Sequence, residues 1–263
     1  MSDIKLIVCD LDGTLLNSNH EISDFNIEIL KKLKEKNIEI ILASGRSYEA
    51  MLPTIKKLEL NNEVISYNGA AIYKNNNLIY QKTLPKNIAK ELIQIGKEKD
   101  IYFHAFHNFK WHIEKFTNEA KEYKERSGLQ EYYIDFSTLE NPNFLKLMYI
   151  SSKENIDNLE LFLKEKYKDK IYLGRSNDNF LEVMHKDVSK ANALKEILKN
   201  RDFSNENIMA FGDGFNDYEM LKYSKIGVVM DNSNENLKSL ITHKALSNDE
   251  NGVGIFLKNF FNL

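Results

Sequence analysis

Two hydrophobic periods alternate along the chain. Short unbroken apolar runs mark strands buried on both faces, and they are followed by stretches in which apolar residues return every three or four positions, as in amphipathic helices. Ile4 and the run Leu6–Cys9 form the first strand. A polar stretch at 17–23 precedes a helical pattern through Phe25, Ile29, Leu30 and Leu33, and 38–43 is a second buried run. Positions 48–60 repeat at helical spacing, with Pro53 expected near the helix start because proline suits the first turn. A third strand is expected at 64–67. Three such strand–loop–helix units predict a parallel, doubly wound sheet.

The pattern then changes. Positions 71–73 and 78–80 flank a polar turn and read as a hairpin. Helices are predicted near 86–99, 117–126 and 153–167, with strands at 101–106, 111–115, 144–151, 171–175 and 180–184. This is the pattern of an α+β module with a mostly antiparallel sheet; 126–142 has no assignable period. From Val188 the first style returns. A helix is expected at 190–199, a strand at 207–211, a helix through Met220 and Leu221, and a strand at 226–230. A helix near 234–240, a short run at 242–246 and a helix from Val253 follow. The fold class is therefore α/β: a doubly wound, Rossmann-like parallel-sheet domain formed by 1–82 and 186–263, interrupted by an α+β domain at 83–185.

Composition narrows the class. Hydrophobic residues make up 42% and charged residues 29%, the balance of a soluble globular protein. The 36 basic side chains are dispersed among 39 acidic ones, for a net charge of −3, so neither nucleic acid nor an anionic membrane is indicated as a partner. Cys9 is the only cysteine, which rules out an internal disulfide and suits a core position in a reducing compartment. No basic-then-apolar leader and no run of 18 apolar residues is found, and a cytoplasmic location is expected.

Candidate chemistry sits at strand ends. Asp10 and Asp12 close the first strand, where burying charge costs several kcal/mol unless it is paired or metal-bound. Ser44 closes the second strand, Lys190 opens a helix, and Asp213, Asn216 and Asp217 follow the strand at 207–211. In a parallel sheet the C-terminal strand ends share one edge, where open α/β folds place ligands. Carboxylates gathered there repel one another unless a cation sits among them, and all-oxygen ligation fits Mg²⁺. Ser44, the amides around Gly45 and the Lys190 ammonium suit a phosphate. Together these say phosphoryl chemistry. Asp12-Gly13 and Asp213-Gly214 are also ordinary turn formers, but chance does not put matching residues at several strand ends. His104, His107 and His112 alternate with aromatics in 102–112 and are expected on the inserted sheet, with Trp111 in the core. Arg46, Arg175 and Glu182 are expected to be structural.

With those residues in hand, the chain resembles the haloacid-dehalogenase superfamily, in particular its Cof-type phosphatases with a large α/β cap. The resemblance runs through Asp10-Leu11-Asp12-Gly13-Thr14, Ala43-Ser44-Gly45-Arg46, Asn68-Gly69, Val188-Ser189-Lys190 and Gly212-Asp213-Gly214-Phe215-Asn216-Asp217. It implies Asp10 as nucleophile and Asp12 as general acid and base. It implies Mg²⁺ on Asp10, the Asp12 carbonyl and Asp213, with Asp217 ligating or orienting a ligand water. The Leu11 amide, Ser44, Gly45, Lys190 and Asn216 would hold the phosphate oxygens. Only 33 residues separate Asp10 from Ser44, against 145 between Ser44 and Lys190. The cap therefore falls in the second interval, where it would roof the site, whereas sugar phosphomutases of this superfamily usually carry theirs in the first. The expected substrate is a small phosphorylated metabolite, such as a sugar phosphate, pyridoxal phosphate or flavin mononucleotide. Phosphotransfer or mutase activity on the same site and a non-catalytic phosphate-binding regulator are the alternatives. Oligomeric state is not readable.

Overall fold

The computed structural model describes residues 3–107 and 110–263; positions 108 and 109 of the histidine-rich stretch lie outside the described residues. The chain divides into two compact units, one running up to Tyr80 and resuming over Ser189–Leu263, the other Gln81–Val188.

In chain order the elements are β1 (Leu6–Cys9), α1 (Asp24–Glu35), β2 (Glu39–Leu42), α2 (Tyr48–Lys57), β3 (Val64–Ser66), β4 (Ala71–Lys74) and β5 (Asn77–Gln81). The second unit holds α3 (Lys86–Glu98), β6 (Tyr102–His107), β7 (Lys110–Ile113), α4 (Asn118–Ser127), β8 (Glu131–Tyr133), β9 (Phe144–Ile150), α5 (Lys153–Tyr167), β10 (Ile171–Asn177) and β11 (Phe180–His185). The first unit resumes with α6 (Lys190–Leu198), β12 (Ile208–Gly212), α7 (Tyr218–Tyr223), β13 (Ile226–Met230), α8 (Glu235–Leu240), β14 (His243–Ala245) and α9 (Gly252–Phe261).

The first unit is built on a five-stranded sheet of order β14-β13-β12-β1-β2, with every neighbouring pair parallel. All four residues of β1 are buried, as a strand covered on both faces must be. Leu6, Val8, Ile41, Ala210 and Val229 pack on one side with Ala191, Leu194 and Ile197 of α6. Ser23 and Ser47 cap α1 and α2 by accepting from the amides of Asn26 and Ala50, so each helix starts where a side-chain oxygen meets its orphan donors.

Two expectations change. Pro53 lies inside α2 rather than at its start, because the Ser47 cap begins the helix six residues earlier. The third strand joins the parallel sheet only through a bridge from Ala43 to Ile65; its regular ladder is antiparallel with β4, in a three-stranded sheet β3-β4-β5.

The second unit carries a six-stranded sheet of order β10-β11-β9-β6-β7-β8, antiparallel except for the pair β7 and β8. One face packs Phe103, Ala105, Leu147, Tyr149, Leu181 and Val183 against α3 and α5. The other face carries Met148, Ile150 and Phe180, with Tyr123 of α4 against them. Among the described residues, no helix is long and apolar enough to cross a membrane.

Candidate active site

Chain connections leave β1 toward β2 and β12 toward β13, in opposite directions from two adjacent strands. That switch point opens a crevice at the C-terminal ends of β1 and β12. Asp10 stands at the end of β1, its amide donating to the Phe211 carbonyl at 3.0 Å, and it is 5% exposed. Asp213 follows β12, and the Thr14 hydroxyl donates to its Oδ1 at 2.9 Å. Between them Gly13 adopts φ +75°, and a Cβ there would run into the Asp213 carboxylate, so glycine is required on two counts. Asn232 donates to the Gly13 carbonyl at 2.8 Å and pins the turn.

Lys190 is the first residue of α6, placed by the Ser189 cap that accepts from the Asn192 amide. Its ammonium is fully buried and donates to Asp10 Oδ1 at 2.5 Å and to Asp217 Oδ1 at 2.6 Å. Asp217 is equally enclosed, and its Oδ2 accepts from the amides of Asp213 and Gly214 at 3.1 and 3.0 Å. One buried cation thus faces three carboxylates. Burial, then the charges of Asp217 and Asp213, hold Asp10 well above the usual carboxylate range, although Lys190 pulls it down. Burial and the neighbouring Asp217 push Asp213 up to about 6. Burial alone would lower Lys190, but the Asp10 and Asp217 carboxylates outweigh it and leave its affinity for a proton above the ordinary lysine value.

This surplus of negative charge bears on a cation. Asp10, Asp213 and Asp217 offer oxygens that lie within 4.8 Å of one another. An all-carboxylate donor set, only partly offset by one lysine, fits a hard divalent ion. Asp217 has both oxygens engaged by Lys190 and backbone amides, which leaves Asp10 and Asp213 as the carboxylates best placed to hold the ion directly.

A second group forms around the Ser44 turn. Ser44 is buried and its Oγ accepts from the Arg46 amide at 3.2 Å. Leu11 is fully buried, and its carbonyl accepts from the Thr14 and Leu16 amides at 3.3 and 2.9 Å. Asn216 donates to Asn68 Oδ1 at 3.1 Å, and a Cβ on Gly45 would lie 3.0 Å from that same oxygen. Asn68 sits in a run of left-handed residues, Tyr67 at φ 50°, Asn68 at 56° and Gly69 at 103°. The two non-glycine members carry roughly 1–2 kcal/mol of strain each.

Asp12 does not join the carboxylate cluster. Arg46 grips it with two bonds, Nε to Oδ2 at 2.7 Å and Nη2 to Oδ1 at 2.5 Å, and His20 Nδ1 lies 3.3 Å from Oδ1. The structure therefore gathers Asp10, Lys190, Asp213 and Asp217 in one cluster, and Ser44, Gly45 and Asn216 in another. It turns the Asp12 side chain onto Arg46. Thr14, Arg46 and Asn68 gain contacts that sequence reading did not assign. All three sit inside recognised motifs, which is the available signal, whereas the partnership between positions 12 and 46 leaves none in the sequence. Arg175 pairs with Asp157 at 2.5 Å and Glu182 with Lys146 at 3.0 Å, both within the second unit. His104 is wholly buried there.

Comparison with known proteins identifies the family. A family model described as haloacid dehalogenase-like hydrolase matches residues 7–257. Phosphatase YwpJ of Bacillus subtilis is 28% identical, with 97% of this chain and 99% of that protein covered. A haloacid dehalogenase-like hydrolase from Bacteroides thetaiotaomicron superimposes with a TM-score of 0.89 at 29% identity, covering 98% of this chain and all of the other. A Thermotoga maritima protein gives 0.88 at 30% identity over 97% of each chain. With its strand-end carboxylates bridged by a buried lysine, the chain belongs to the haloacid dehalogenase-like hydrolases.

Proposed function

We propose that this hydrolase is a Mg²⁺-dependent phosphatase that releases phosphate from esters of small metabolites through an aspartyl-phosphate on Asp10. The observation that carries the proposal is the Lys190 ammonium, buried between Asp10 and Asp217 at the ends of parallel strands. A lysine in that place draws Asp10 toward its ionised form and fixes its direction, which is what a carboxylate nucleophile needs. A bound divalent cation, held by Asp10 and Asp213 with Asp217 orienting them, would supply positive charge for the phosphoryl oxygens.

The remaining steps belong to the chain. An Asp10 oxygen bonds to phosphorus as the phosphorus–ester oxygen bond breaks, and Asp12 gives its proton to the departing alkoxide. Water then attacks the phosphorus of the acyl-phosphate, Asp12 takes the proton, and phosphate leaves with Asp10 restored. Ser44, Asn216 and the backbone amides of Leu11 and Gly45 are the donors for the non-bridging oxygens, where charge accumulates. Arg46, with its two bonds to Asp12, stabilises the carboxylate that remains once Asp12 has given its proton. The unit Gln81–Val188 is the substrate-selecting insert in this reading, and sugar phosphates, pyridoxal phosphate and flavin mononucleotide are the substrates to try first.

The test is phosphate release from a panel of phosphorylated metabolites with Mg²⁺ and with a chelator, for the wild type and Asp10→Asn. Turnover that needs the metal and disappears in the variant is expected. Near-normal hydrolysis by Asp10→Asn would sink the proposal.

A further inference from the structure

We infer that the strained turn Tyr67–Gly69 is a positioning device for the phosphate-holding side of the site, and that Asn68 acts by aiming the Asn216 amide; the inference rests on the phosphatase reading above. The turn is fixed from two directions. The amides of Tyr67 and Asn68 donate to the carbonyls of Arg46 and Ser44, both at 2.9 Å, which keys the turn onto the loop that ends β2. On its other side Gly69 lies so close to the Ser189 carbonyl and the Lys190 amide that a Cβ would collide with them. One three-residue turn therefore touches the backbone of both Ser44 and Lys190, two of the groups assigned to phosphate.

Tyr67 and Asn68 hold left-handed backbone angles that a plain connection would avoid. Three consecutive residues with positive φ reverse the chain tightly at the end of β3. Their result is local and specific: Asn68 Oδ1 accepts from the Asn216 amide at 3.1 Å, across 148 positions of sequence, and crowds Gly45. Asn216 stands in the exposed loop after β12, and among the described residues Asn68 is the acceptor that its side-chain amide meets. With Asn68 accepting from it, the rest of the amide points in a set direction. Asn68 is thus a positioning residue, and its effect reaches phosphate through Asn216.

A double-mutant cycle tests this with inorganic phosphate as the probe. Asn68→Gly removes the acceptor while glycine takes the left-handed angles without strain. Its inhibition constant for phosphate should rise, and its kcat/KM should fall, by about tenfold to a hundredfold, with the melting temperature unchanged or higher. A merely structural residue would lose activity and melting temperature together. In the Asn216→Ala background, Asn68→Gly should cost nothing more, because the group it aims is gone. Losses that multiply in the double variant overturn the inference, and so does full phosphate affinity in Asn216→Ala alone, a variant that does not depend on how Asn68→Gly folds. The two readings fail separately. A wild type that releases no phosphate from any ester removes the phosphatase reading, whereas an active, phosphate-inhibited wild type with a multiplicative cycle removes only the role of Asn68.

Discussion

At the scale of single residues, charge balance governs the site. Lys190 is the one buried cation among three carboxylates, so its loss is expected to do more than remove a hydrogen bond. Lys190→Met leaves Asp10 and Asp217 enclosed and unpaired, which should cost about 3–5 kcal/mol of stability by chemical denaturation. Turnover should fall by about 10²–10³, the usual effect of deleting a donor on developing charge. A variant with wild-type stability would show that the buried carboxylates do not depend on this lysine for their charge balance. Arg46 makes a different claim. Because it grips Asp12 and not Asp10, Arg46→Gln should slow esters with poor leaving groups, which need the proton, by about 10- to 100-fold. Aryl phosphates with good leaving groups should be slowed much less; equal losses on both kinds of ester would contradict the assigned partnership.

The elements were largely legible from hydrophobic period alone, and the exceptions have physical causes. β8 leaves no period because three residues, Glu131–Tyr133, are too few to show alternation, and it is made by pairing with β7 rather than by burial of its own side chains. Pro53 misled because a serine cap decides where α2 starts, and a single missing amide is tolerated inside it. At the site, Asp10, Lys190, Asp213 and Asp217 could be placed together because parallel topology collects strand ends. The grip of Arg46 on Asp12 could not, since it depends on where two loops turn after their strands.

The second unit offers an element-scale prediction. His104 on β6 lies under Tyr123 of α4, with ring centroids 4.3 Å apart, and among the described residues neither ring nitrogen has a hydrogen-bond partner. Burial, then the Lys146 ammonium, holds its proton affinity well below the ordinary histidine value. Unfolded, the same side chain takes a proton near pH 6.5. Below that pH the unfolded state therefore binds more protons, and stability falls as pH drops, by up to about 1.4 kcal/mol per pH unit from this group. His104→Phe should remove that share of the slope and raise stability by about 1–3 kcal/mol through loss of the unsatisfied nitrogens. Trp111, the only tryptophan, packs 5.6 Å from His104 and reports the transition by fluorescence. An unchanged slope between pH 7.5 and about pH 5.5 would contradict the assignment.

For the whole molecule, the division of the chain matters more than its length. The five-stranded sheet is assembled from both ends of the sequence, since β1 lies between β2 and β12. The unit Gln81–Val188 is continuous and carries its own core on α3, α5 and one sheet face. The carboxylate cluster lies wholly within the first unit, so cation binding should stabilise that unit in particular. Mg²⁺ at about a hundredfold over its dissociation constant should add roughly 2.7 kcal/mol to the unfolding free energy of the wild type. It should add much less to Asp213→Asn, which lacks a ligand.

The most direct test is for phosphate carried on Asp10 itself. The wild type, mixed with a good substrate and Mg²⁺ and quenched in acid within one turnover, is digested and its peptides are weighed. The mass of one phosphoryl group should appear on the peptide that carries Asp10, and should be missing from Asp10→Asn. Phosphate release at the normal rate with no phosphorylated peptide, or with the phosphoryl group on any other peptide, would contradict the account.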